Sequence, residues 1–222
     1  HKEYRRQRQM CIRDRMRMLF SYRSLIFGLI LVMLSEAFCA EPVSSLTELR
    51  QKNVMMQKWD ISCGAAALGT VLRYHHGLDI SEKEIAISLM QRDEYIKNPH
   101  LVRMRLGFSL LDIKRYVESI GYIGIGLGGL QLPDLVERAP IMVTVVIHGY
   151  NHFVVFRGIK RNRVLLADPA WGNRTMTVDQ FMDIWVETPK MGRVGFQVLS
   201  PTDTEPVYTS LNPEDDDFVS FH

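Results

Sequence analysis

The sequence predicts an α+β domain in which N-terminal helices pack on an antiparallel sheet. Two patterns carry this expectation. Apolar residues at helical spacing dominate the first half of the body, and short β-branched runs separated by turn signals dominate the second. Composition agrees: 222 residues, 46% hydrophobic and 23% charged, suit one globular domain with appendages.

The first helix begins near Cys63 and runs to about His75. Ala66, Leu68, Val71 and Leu72 give it an apolar face, and Ala65, Ala66 and Ala67 are strong helix formers. Ser62 stands at the N-cap position and Gly77 is the stop. A second helix starts at Ser81-Glu82-Lys83-Glu84, a capping box flanked by an Ile80–Ile85 staple, and ends near Gln91. Residues 92–106 read as a surface excursion. A third helix starts near Ser109, with Leu110, Ile113 and Val117 on one face, and stops at Gly121. Pro133 fits the first position of a short fourth helix through Arg138. The glycine-rich stretch 124–129 follows no phosphate-loop pattern and reads as a turn pair, or as a low wall beside a groove. Strands follow at Ile141–Ile147, His152–Arg157 and Val164–Ala167, separated by Gly149-Tyr150-Asn151 and Lys160-Arg161-Asn162; Phe196–Leu199 is a further candidate.

Three segments are expected along the chain. Residues 1–40 read as a leader: Arg13, Arg15, Arg17 and Arg23 precede the apolar run Leu25–Leu34, and Ser35, Ala37 and Ala40 supply a cleavage zone. The stretch before Met16 has no apolar pattern and reads as a non-native extension. A lipoprotein reading at Cys39 has Phe38 against it, and an uncleaved membrane anchor is the other alternative. Residues 41–201 form the body. Residues 202–222, with Pro206, Pro213 and Glu214-Asp215-Asp216-Asp217, read as a loose acidic tail. Such a leader implies export, hence a periplasmic location.

The net charge of +2 conceals an asymmetry. The first 40 residues hold eight Lys/Arg and three Asp/Glu, so the remaining 182 carry 19 basic and 22 acidic residues. No basic stripe interleaved with aromatics is visible, and no nucleic-acid partner is expected. The cysteine count is more informative. Of Cys11, Cys39 and Cys63, only Cys63 survives removal of the leader. A lone thiol in an exported protein is either a small buried hydrophobe or a functional group.

The surroundings of Cys63 favour function. A helix N-terminus lowers a thiol pKa, because unpaired N–H groups and the macrodipole favour negative charge there. Gly64 is expected to leave space beside the sulfur for a substrate backbone. His152, opening an apolar strand, is the candidate base. Asp168, ending the next strand before Pro169, would emerge at the same end of the sheet and orient that base. Gln57, six residues before Cys63, and the Cys63 N–H are candidate oxyanion donors.

These residues carry a resemblance. Gln57-Lys58-Trp59-Asp60-Ile61-Ser62-Cys63-Gly64-Ala65-Ala66, His152-Phe153-Val154-Val155 and Ala167-Asp168-Pro169 resemble the C39 peptidases, papain-like domains that process double-glycine leader peptides. The resemblance covers roughly Val54–Leu199. It implies a papain-like fold without cofactor or metal, with Cys63 as nucleophile, His152 as base, Asp168 as orienter and Gln57 as oxyanion donor. It also implies peptide substrates cut after small residues such as Gly-Gly. Ser62 departs from the family, which often has Asp there. The chain shows no ABC-transporter or ATPase segment, so it looks like the stand-alone exported members, including those of functional-amyloid (Fap-type) secretion systems. A partner in the outer-membrane secretion machinery follows from that reading.

Two rival functions remain at this level. A non-cleaving C39-like module could guide a secretion or amyloid substrate, although the intact Cys63, His152 and Asp168 speak against a dead site. A cell-wall amidase of the NlpC type would share the Cys-His-Asp order. Among other candidates, His148 is the rival base. His75-His76 lack metal-ligand spacing and read as a helix end. Trp171 and Trp185 read as packing residues, with Trp171 alternatively lining the cleft. Arg92, Lys97, Arg103 and Arg105 read as a solvated loop, with a substrate-contacting flap as the alternative.

Overall fold

The computed structural model describes residues 45–91, 97, 98, 100, 107–202, 210–214 and 217. The leader expected over 1–40 and most of the excursion expected over 92–106 lie outside the described residues. Among the described residues no helix is long and apolar enough to cross a membrane.

The unit from Ser45 opens with a short helix, α1 (Leu46–Gln51), held by a reciprocal Ser45–Glu48 capping box. Its side chains include none that is buried, so the sequence offered no apolar stripe to reveal it. Helices α2 (Cys63–Tyr74), α3 (Glu82–Met90) and α4 (Leu110–Ser119) follow where the apolar spacing placed them. Ser81 and Ser109 each close a capping box on the residue three positions on, Glu84 and Asp112. Strand β1 (Ile123–Leu127) occupies the stretch expected as turns. Gly124 is required there by proximity: a Cβ would stand 2.8 Å from the Phe196 ring and 3.4 Å from the Lys114 backbone. Helix α5 (Leu132–Glu137) carries its proline in the first turn.

The remaining strands are β2 (Ile141–Ile147), β3 (Tyr150–Lys160), β4 (Arg163–Asp168) and β5 (Gly172–Thr177). Helix α6 (Val178–Ile184), the two-residue strands β6 (Glu187–Thr188) and β7 (Gly192–Arg193), and β8 (Gly195–Leu199) complete the order. One antiparallel sheet runs β1-β8-β2-β3-β4-β5. The β2–β3 hairpin turns on His148 and Gly149, both at positive φ (51° and 83°), with Ile147 opposite Tyr150. The start of β3, the end of β4 and the β4–β5 connection therefore share one end of the sheet.

Strand alternation builds two cores. Met142, Val155, Ala167, Phe196 and Val198 face α2, α3 and α4, against Leu68, Leu72, Ile85, Leu89, Ile113 and Val117. Their neighbours Val143, Val145, Val154, Phe156, Val164 and Leu166 pack with Leu135 of α5 and with Phe181 and Trp185. Burial of both faces explains why β2 and β3 read as near-continuous apolar runs.

Part of the segment expected as a loose acidic tail is anchored instead. Arg157, the extra residue of a bulge in β3, is 2% exposed. Its guanidinium donates to the Leu211 carbonyl at 3.0 Å, to Asn173 at 2.8 Å and to Asp217 at 2.9 Å. Leu211 is fully buried. A buried cation needs such partners, and Ser210, Leu211 and Asp217 supply most of them.

Candidate active site

Helix α2 brings Cys63 to β3. Gly64 does this by packing: a Cβ there would press on Phe153 and Ile113 at 3.2 Å. The glycine therefore lets helix and strand approach; the expectation that it clears room for substrate is corrected, since it is buried under those two side chains. Ser62 is at the N-cap position but makes no side-chain cap bond. Its hydroxyl donates to the Glu82 carboxylate of α3 and lies 2.8 Å from the Trp59 carbonyl. Glu82 also accepts from the Lys58 N–H at 2.9 Å. The cap was expected from residue type; Glu82 competes for the hydroxyl and leaves the first-turn N–H groups of α2 open towards the sulfur.

His152 and Asp168 meet across the β3–β4 pair as expected. The imidazole Nε2 donates to Asp168 Oδ1 at 2.7 Å. That oxygen also accepts from the Ala170 N–H at 2.9 Å, and Oδ2 accepts from Arg174 at 3.2 Å. With Nε2 engaged, Nδ1 is the ring nitrogen left for the sulfur; Cys63 and His152 line the same cleft, and each favours the charged form of the other. Cys63 is free and 5% exposed, Asp168 1%. His148, the rival base, sits exposed on the hairpin turn and forms part of the cleft wall.

The electrostatics favour a charge-separated pair. Burial pushes the Cys63 thiol up, but the imidazole and the N–H groups of Phe153 and Gly64 outweigh it, and the pKa ends below the ordinary thiol value. Burial pushes His152 down; Asp168 and the sulfur outweigh it and raise the imidazole to about 9. Burial pushes Asp168 up, but its bond to His152, the imidazolium charge, the Ala170 N–H and Arg174 hold the carboxyl below its ordinary range. All three shifts favour the same charge-separated arrangement of thiolate, imidazolium and carboxylate.

Gln57 is placed differently from the expectation. Its Nε2 donates to the Trp59 carbonyl at 3.2 Å, and its Oε1 is buried without a hydrogen-bond partner among the described residues. Its backbone N–H donates to Pro169 at 2.8 Å and ties the pre-helix loop to the Asp168 turn. The carboxamide has two N–H groups and Trp59 takes one.

A cleft of about 610 Å³ opens at this centre. Asp60 and Ile61 border it on the helix side; Tyr150, Trp171 and Arg174 border it on the sheet side. Arg174 was missed by sequence reasoning because β5 was missed. In Gly172-Asn173-Arg174-Thr175 the polar residues hide the strand's alternation. His75 and His76 end α2 as expected, and among the described residues no cluster of His, Cys, Asp and Glu has metal-holding geometry.

The family model "Peptidase C39 family" matches residues 51–188, most of the chain. The chain belongs to the peptidase C39 family. Among curated proteins it is 40% identical over 147 residues to a protein named "Probable functional amyloid protease FapD" from Pseudomonas fluorescens. That match covers 64% of this chain and 61% of the relative. It is 37% identical over 145 residues to the protein of the same name from Pseudomonas aeruginosa, with the same coverage. The matched region thus spans about six-tenths of those relatives' length.

Among solved structures, the peptidase domain of Streptococcus ComA has a TM-score of 0.53 at 16% identity, covering 68% of this chain and 99% of that one. A double-glycine-motif protease from an AMS/PCAT transporter, solved with its leader peptide, has a TM-score of 0.51 at 20% identity, covering 66% and 90%. At such identities these two show the fold: an α+β, papain-like C39 domain.

Proposed function

We propose that the chain is a cysteine endopeptidase with Cys63 as nucleophile. The observation that carries this is the convergence of Cys63, His152 and Asp168 on one cleft, with His152 hydrogen-bonded to Asp168 at 2.7 Å. The thiolate attacks the scissile carbonyl. The developing oxyanion takes the Cys63 N–H at the uncapped start of α2, with the spare Gln57 N–H as second donor once the carboxamide turns. Imidazolium Nδ1 gives its proton to the leaving amine, and water, deprotonated by the same imidazole, releases the acyl group. Asp168 keeps the ring aligned throughout and stabilises it whenever it is protonated.

The finer reading is that substrates are exported or secretion-system peptides cut after small residues such as Gly-Gly. The FapD name of the relatives supports a functional-amyloid setting, and the double-glycine specificity named for one structural neighbour supports the cleavage motif. The basic, then apolar, start of the chain supports periplasmic action beside an outer-membrane secretion partner. The test is direct. The full chain, incubated with a peptide containing Gly-Gly, should cut it after the second glycine, and Cys63→Ala should not. Equal cutting by that variant, or no reaction of Cys63 with iodoacetamide at pH 7, would contradict the proposal.

A further inference from the structure

The cleft has a wall that the catalytic residues do not need. Trp171 is 52% exposed, yet it borders the cleft three residues after Asp168. It is also fixed in place. The Arg50 guanidinium lies 4.1 Å from the indole centroid and donates to the Trp171 carbonyl at 2.8 Å. The residues that follow hold the same helix. A Cβ at Gly172 would stand 2.4 Å from the Arg50 carbonyl, and Asn173 donates to the Lys52 carbonyl at 2.7 Å. Arg50 itself precedes the stretch matched by the family model. Thus α1 acts as a splint that orders one aromatic ring at the rim of the site.

An anchor for α1 alone would require only the carbonyl bond and the Gly172 contact, neither of which uses an indole. A rigid, half-covered ring facing a cleft has the form of a binding platform: its conformational entropy is already lost, and its open face gains by burial. Position sets which part of a peptide it meets. The Ala170 N–H, one residue before Trp171, bonds the same Asp168 oxygen that holds the imidazole. Trp171 is thus tied to the turn that holds the imidazole, both residues line the same cleft, and in the mechanism above the imidazole gives its proton to the leaving amine.

We infer that Trp171 is a specificity-determining residue for the leaving side of the substrate, with Arg50 as its positioning residue, and that it selects a large apolar side chain directly after the cut bond. This rests on the cysteine-peptidase reading above.

The experiment uses the full chain and a proteome-derived peptide library, with cleavage positions read by mass spectrometry. Wild-type cuts should be enriched in Leu, Ile, Phe or Met immediately after the bond. Trp171→Ala should lose that enrichment. It should also lower kcat/KM about tenfold, through KM, on a library peptide with Leu there. Trp171→Phe should restore most of both, and Arg50→Met should fall between. Iodoacetamide alkylation of Cys63 in each variant reports whether the thiolate is intact. Fast alkylation with an unchanged cleavage profile in Trp171→Ala overturns this inference alone, as does a wild-type profile without apolar preference. Absence of any cutting overturns it too, and slow alkylation of the same wild-type protein then locates the fault in the peptidase reading.

Discussion

Replacing Asp168 by Asn isolates the charge behind the imidazole. Asn keeps an oxygen where Oδ1 accepts from His152 at 2.7 Å, so the ring stays aligned while the charge is lost. Raising the imidazole from 6.5 to about 9 corresponds to about 3 kcal/mol favouring its protonated form. Asp168 and the sulfur share that effect. If the carboxylate supplies half, the substitution drops His152 by about one pH unit and removes about 1 kcal/mol from the ion pair. The assay is kcat/KM against pH on a peptide that wild type cleaves. Wild type should rise as the thiolate forms and fall as His152 deprotonates near 9. In Asp168→Asn the falling limb should move towards neutrality, the rising limb should move up, and the maximum should drop by about tenfold. A falling limb still near 9 would refute the assignment of the charge to Asp168.

Four further outcomes are expected. His152, with a raised pKa, adds stability that is complete below about 6.5 and lost as pH rises through about 9; Cys63, with a depressed pKa, adds stability that grows as pH rises towards the unfolded thiol value of 9.0. The two oppose each other, so the wild-type urea midpoint should fall less steeply from about pH 6.5 to 9 than that of Cys63→Ser. Glu82→Ala strips the Lys58 N–H and Ser62 hydroxyl of their buried acceptor and should cost about 1–3 kcal/mol by urea unfolding, with kcat reduced; Glu82→Gln should recover most of both. Gly64→Ala pushes α2 away from Phe153 and should destabilise by about 1–3 kcal/mol while slowing Cys63 alkylation at pH 7. Arg157→Met leaves the Leu211 carbonyl and Asp217 without their donor and should cost about 3–5 kcal/mol, with protease cutting of residues 210–217 in the folded protein as an early sign.

The helices around the site were legible because each announces itself twice, by apolar spacing and by a cap: Ser81 with Glu84, Ser109 with Asp112. Cys63, His152 and Asp168 were legible because chemistry demands those residue types at a helix start and at neighbouring strand ends. What stayed hidden has physical causes. Strand β1 was obscured by Gly124 and Gly126, which have no side chain to alternate. Strand β5 was obscured because Asn173 and Arg174 serve buried polar networks instead of a core. Helix α1 carries no buried face. The anchoring of Leu211 and Asp217 depends on Arg157, more than fifty positions earlier, and no local pattern reports such a partner. Ser62 shows the reverse case, where a sound local rule yields to Glu82 twenty residues away.

The sheet order has a consequence for how the site tolerates change. His152 lies on β3, an interior strand bonded on both sides, whereas Trp171 and Arg174 hang on the outermost strand and its approach turn. Amide exchange should grade accordingly, slowest through the middle of β3 and fastest along β5 and α1. Substitutions at that margin shift few packed neighbours. Descendants of this fold can therefore redraw the outer rim for new peptides while the reacting atoms keep their spacing.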